Sequence, residues 1–188
     1  SSITVQQGGK LAHTANGATR LYSLKLNITG NLTLQSGATI YLDGLGYGGG
    51  YTSNGWGPGR GNYANNTGSG AGHGGAGGAS NNFVGGIIYD SLTDPGDLGS
   101  GGAGGWNLAG GSGGGLLRVV AGGIIYLNGL ITANGSDGAN SGILSSGGGA
   151  GEAINLTAGV IVGTGTLRAN GGYTVGNGGG GGGGLIAL

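Results

Sequence analysis

From Leu24 to Leu42 the chain alternates apolar and polar residues: Leu24-Lys25-Leu26-Asn27-Ile28-Thr29, Asn31-Leu32-Thr33-Leu34 and Ala38-Thr39-Ile40-Tyr41-Leu42. A period of two marks strands with one buried face. Three short strands are therefore predicted, turning at Thr29-Gly30-Asn31 and Gln35-Ser36-Gly37, where Asn and Gly tolerate the left-handed backbone of a sharp bend. Three further β-rich runs of strand length are bounded by Gly or Asn: Leu116–Ala121, Gly123–Gly129 and Ala153–Ala158. A free strand, Ser2-Ile3-Thr4-Val5-Gln6, is predicted at the N-terminus.

The runs repeat. Ile40-Tyr41-Leu42-Asp43-Gly44-Leu45 recurs as Ile125-Tyr126-Leu127-Asn128-Gly129-Leu130, and Gly129-Leu130-Ile131-Thr132-Ala133-Asn134-Gly135 recurs as Gly165-Thr166-Leu167-Arg168-Ala169-Asn170-Gly171. The unit reads glycine tract, strand, turn, strand, turn, strand ending in Ala-Asn-Gly. Units are placed at about 115–150 and 151–184. A third opens at Gly184-Leu185-Ile186-Ala187-Leu188, so the chain is read either as a fragment of a longer array or as one whose last coil another subunit completes. The start at Ser1, without Met or a leader pattern, reads as a processed mature end.

Between the runs lies glycine, 57 of 188 residues. Such a content would ordinarily point to disorder, which the strand runs argue against. Two readings of the tracts stand: flexible linkers, or extended polyproline-II-like segments that only glycine packs closely enough. The expected architecture is all-β: one domain, 1–188, an irregular right-handed β-solenoid with packed extended polyglycine segments. Residues 44–115 form a long glycine-rich insertion and 1–7 a free terminal strand.

This pattern resembles the glycine-rich repeat regions of very large secreted bacterial surface proteins. The stretch Tyr89-Asp90-Ser91-Leu92-Thr93-Asp94-Pro95-Gly96-Asp97-Leu98-Gly99-Ser100-Gly101-Gly102 is similar to an element that recurs in them. The resemblance implies an extracellular β-solenoid and no reaction. A weaker likeness is to phage tail-tip adhesins built on packed polyglycine helices, which lack the repeated aliphatic strands.

Charge narrows the partners. Six basic and six acidic side chains leave zero net charge, so no basic stripe exists to neutralise nucleic acid. No apolar run is long enough for a membrane helix. Cysteine is absent, which excludes disulfides and thiol chemistry. The protein is read as secreted, extracellular or on a cell surface.

Candidate chemistry is thin. His13 and His73 lie in different tracts with no carboxylate or nucleophile near them in sequence, and no acid pair has a spacing that suggests acid–base work. Asp90, Asp94 and Asp97 share one turn-rich segment, either as calcium ligands or as acceptors for local turn amides. No other cofactor is expected. Trp56, Trp106 and Tyr51 interrupt glycine-rich loops, where they either pack or stack on surface glycans. Asn27, Asn31, Asn65, Asn134 and Asn155 begin glycosylation sequons. Thr39, Thr132 and Thr166 do not make the regular Thr ladder of an ice-binding face.

The expected function is non-enzymatic: a subunit of an extracellular fibre that assembles head to tail through β-strand pairing. Ile3 and Val5 at one end, and Leu185, Ile186 and Leu188 at the other, are the expected subunit contacts. The alternative is an adhesion or glycan-binding module of a large surface protein.

Overall fold

The structure is a computed structural model that describes residues 1–81, 83–142 and 144–188. Each expected strand run forms a strand, but a short one. The first layer is β1 (Ile3–Val5), β2 (Lys10–Leu11) and β3 (Leu24–Ile28), and the second begins with β4 (Leu32–Leu34) and β5 (Thr39–Tyr41). A small hairpin, β6 (Tyr63–Ala64) and β7 (Thr67–Gly68), lies within the glycine-rich insertion. After it follow β8 (Leu117–Ala121), β9 (Ile124–Leu127), β10 (Leu130–Thr132), β11 (Ala153–Thr157), β12 (Val160–Val162), β13 (Thr166–Arg168) and β14 (Leu185–Ala187).

These strands form three parallel four-stranded sheets, ordered β1-β4-β9-β12, β2-β5-β10-β13 and β3-β8-β11-β14. The chain visits the three sheets in turn and adds one strand to each. Pairing is in register, so identical rows repeat from layer to layer. Ile3, Leu32, Ile125 and Ile161 form one row; Leu11, Ile40, Ile131 and Leu167 form the second; Leu24, Leu117, Ile154 and Ile186 form the third. Each layer thus presents three aliphatic side chains to a common core. The six in the two middle layers are sealed, none more than 1% exposed.

The expectation of one irregular right-handed β-solenoid over 1–188 is corrected. Three parallel sheets of two- to five-residue strands are what the chain builds, and a strand-poor body of extended glycine segments stands beside them. The physical reason is that glycine has no side chain to pack on a pleated face, so the tracts add no rungs. β5 pairs directly with β10 despite the 42–116 excursion between β5 and β8.

In the glycine body, backbone replaces side chain. Gly99 and Gly102 N–H donate to Gly114 and Gly111 O, while Ala150 and Gly147 N–H donate to Ser100 and Ala103 O. Gly101 N–H donates to Trp56 O, on another side. Partners on one neighbour recur every third residue, where a pleated pair would alternate every second, so segment 99–104 is bonded on several sides. Glycine is required here by close approach. A Cβ on Gly147 would lie 1.8 Å from Ser69 O, and one on Gly101 1.9 Å from Gly48 O. Among the described residues no helix is long and apolar enough to cross a membrane.

Candidate functional site

The subunit-contact candidates sit at opposite ends of the layered stack. Val5 is buried and Ile3 partly so, whereas Ile186 and Leu188 are 45% and 73% exposed. They belong to different sheets: β1 edges the first and β14 the third. Direct β1–β14 pairing would therefore mix sheets. A second stack placed on the end would instead oppose β12 to β1, β13 to β2 and β14 to β3.

Trp56, Trp106 and Tyr51 are all about half exposed or more. Trp56 lines a surface cleft of 350 Å³ with Ser53, Asn54, Gly55 and Arg60. Trp106 and Tyr51 do not line it. Thr39 and Thr166 fall in one row of the second sheet, but Leu130 separates them. Asn155, a sequon asparagine, is buried, its amide donating to Asp94 Oδ1 at 2.9 Å and Pro95 O at 3.2 Å.

The three loop aspartates go to three different tasks. Asp94 pairs with Arg118 at 2.8 Å, which docks the loop on the outer face of β8. Asp97 accepts from its neighbour Leu98 N–H at 2.8 Å and from Tyr47 OH at 3.3 Å, and pairs with Arg20 at 3.5 Å. Asp90, held at φ 76°, folds the loop back on itself. Its Oδ2 accepts from Gly96 and Asp97 N–H at 2.8 and 2.9 Å, and its Oδ1 from Ser91 N–H at 2.8 Å. Burial pushes the Asp90 carboxyl up, but those amides of Asp97, Ser91 and Gly96, with His73, outweigh it and hold it below the usual carboxylate range. Asp90, Asp94 and Asp97 therefore do not converge on one calcium site.

Asp90 instead meets two residues from distant segments. His73, in the glycine tract, and Glu152, immediately before β11, are fully buried; the Asp90 side chain is 11% exposed. His73 Nε2 lies 3.3 Å from Asp90 Oδ2 and 3.8 Å from Glu152 Oε1. Among the described residues, this is the one group of three or more acidic or histidine side chains gathered closely enough to hold a metal ion. The imidazole packs edge-on against Tyr89, centroids 4.7 Å apart. Tyr89 is fixed in turn by donating to Leu98 O and accepting from Ser100 Oγ.

Two features set the electrostatics of this centre. Both Glu152 oxygens, and His73 Nδ1, are buried without a hydrogen-bond partner. Burial pushes the Glu152 carboxyl well above its ordinary range; the Ala153 N–H lies near enough to oppose this without making a hydrogen bond of good geometry. Burial also lowers the His73 imidazole, against the pull of Asp90. Glycines make the room: a Cβ on Gly114 would lie 2.8 Å from Glu152 Cβ, and one on Gly99 3.1 Å from Glu152 Oε2.

Sequence reasoning found Asp90 but missed His73 and Glu152, because neither has a partner within fifteen residues. One signal was present. The register aligns Leu116, Ala153 and Leu185, so the residues before them are Gly115, Glu152 and Gly184. The chain's single glutamate occupies a junction that is glycine before β8 and β14 and Tyr22 before β3.

No protein-family model, no curated protein and no solved structure matches this chain.

Proposed function

We propose that the protein is a non-enzymatic structural subunit of an extracellular or cell-surface fibre, built by stacking copies end to end so that each sheet continues from one copy into the next. The observation that carries this reading is the repeated layer. Its aliphatic triplet recurs four times in register, and the outermost triplets, Ile3, Leu11, Leu24 and Ile161, Leu167, Ile186, are chemically alike. Edge strands with free N–H and C=O groups template further pairing. A second copy supplies strands of two to five residues, in the same direction, to all three sheets at once.

Electron microscopy of the purified protein tests this. Filaments are expected with an axial repeat of roughly 19 Å, four strand spacings of about 4.8 Å. Deleting residues 1–7 removes β1, and Ile161→Lys places a charge in the end triplet; each should leave a folded, dispersed subunit. Dispersed wild-type protein, or filaments that survive both changes, would overturn the proposal.

A second reading, an adhesion or glycan-binding module, is favoured by the half-exposed Trp56 beside its cleft. Glycan-array binding that Trp56→Ala abolishes would support it.

A further inference from the structure

A chain with only six acidic and two histidine side chains spends three of them at one interior point. A carboxylate buried without a partner is expensive, and here neither Glu152 oxygen has one. His73 and Asp90 gather around it, and all three ligand atoms lie within 4.8 Å of one another. We propose that His73 Nε2, Asp90 Oδ2 and one Glu152 oxygen form a zinc site that locks the glycine body to the sheets.

The geometry matches the ion. Zinc binds imidazole and carboxylate at about 2.0–2.2 Å in a tetrahedron, which sets ligand atoms roughly 3.3–3.6 Å apart. The observed separations from His73 Nε2 are 3.3 and 3.8 Å. No hydrogen bond holds the Glu152 oxygens, so only a small shift of that carboxylate is needed to close the remaining gap. Asp90 is oriented by the Gly96, Asp97 and Ser91 amides, as an outer shell orients a ligand. One imidazole and two carboxylates suit zinc. Calcium takes six to eight oxygens and magnesium a near-octahedral set, neither of which this donor set supplies. The slightly exposed Asp90 side gives a path for entry, and solvent takes the fourth position.

The three ligands come from segments with no other covalent or sequence proximity: tract 68–78, loop 90–97 and the head of β11. One ion would cross-link all three. This differs in place and logic from the fibre reading and stands without it.

The test uses the full chain, stripped with a chelator, dialysed and titrated with Zn²⁺ by calorimetry, with Co²⁺ as a spectroscopic reporter. One Zn²⁺ per chain, the strong visible absorption of tetrahedral Co²⁺ and a raised melting temperature are expected. His73→Gln and Glu152→Gln should each weaken binding at least about 100-fold, since losing even an outer-shell partner costs about 10–100-fold. Asp94→Asn, in the same loop but paired with Arg118, should bind as wild type. Circular dichroism of metal-free Glu152→Gln, which loses no hydrogen bond, should match the wild type and separates lost binding from lost folding. No saturable Zn²⁺ binding, equal binding by the His73 and Glu152 variants, or tighter binding of Ca²⁺ would each overturn the site.

Discussion

The layered sheets and the glycine body solve the problem of burial in opposite ways. In the sheets, the interior is filled by side chains such as Ile40, Ile125 and Ile131, each fully buried, and backbones stay a strand spacing apart. In the glycine body, buried segments such as 99–105 and 147–151 touch backbone to backbone, and the interior is made of carbonyls and Cα atoms. The lesson is that tolerance to substitution inverts. The sheets suffer from making residues smaller, and the glycine body from making them larger.

The largest expected effect tests the second half of that statement. Gly147→Ala puts a methyl 1.8 Å from Ser69 O, while Gly180→Ala, in another tract of the same body, finds nothing closer than 3.8 Å. Backbone cannot step aside as a flexible side chain can, so Gly147→Ala should cost more than about 3 kcal/mol. Gly180→Ala should change stability by less than about 1 kcal/mol. Denaturant melts of the pair check this; equal effects would mean that the tracts are loosely packed.

Next comes the sheet side. Ile131→Ala empties a sealed position in a middle layer and should cost about 2–5 kcal/mol, transfer and cavity together. The equivalent change one layer out, Leu167→Ala, should cost visibly less, because Leu167 is only partly buried. Chemical denaturation of both gives the gradient from middle to end.

The contact between the two regions gives a smaller effect that depends on pH. In chelator, Glu152 faces His73 and Asp90, and also feels Asp97, Arg20 and the Tyr89 and Tyr47 phenols. Its carboxyl is raised in the folded state. Above its ordinary value of 4.5 the folded chain therefore keeps a proton that the unfolded chain has released. Stability falls as pH rises through that window, by at most about 1.4 kcal/mol per pH unit. His73, lowered from 6.5 by burial, acts with the opposite sign: its contribution is present above 6.5 and lost as pH falls through its folded value. Glu152→Gln should flatten the decline in melting temperature that begins above pH 4.5 and leave the fall that His73 causes as pH drops below 6.5. An unchanged decline above pH 4.5 would refute this assignment.

The smallest effect is at the rim. Trp56→Ala and Trp106→Ala alter side chains about half exposed and should each shift stability by less than about 1 kcal/mol. A larger loss in thermal melts would assign these rings to packing rather than recognition.

The residues carried much of the sheet architecture, unevenly. The echo of Leu130-Ile131-Thr132 in Thr166-Leu167-Arg168 is a true register pair, β10 against β13. The closer echo of Ile40-Tyr41-Leu42 in Ile125-Tyr126-Leu127 is not. Ile40 opposes Ile131 in the second sheet, while Ile125 opposes Leu32 in the first. Alternation fixes which side chains face inward but not which sheet a strand joins, so similarity of letters overstated similarity of place. The His73, Asp90 and Glu152 centre was hidden for a related reason. Its members meet only because residues 44–115 fold back over the sheets.

What the sequence determined by itself was local: strand positions from period-two alternation and corners such as Gly37 at φ 78°. Tertiary structure alone decided which strands stack, that the tracts bond one another at every third residue, and that three titratable groups share one buried point. Local backbone preference is written in neighbouring residues. Juxtaposition across 79 positions, from His73 to Glu152, is set by closing the whole fold.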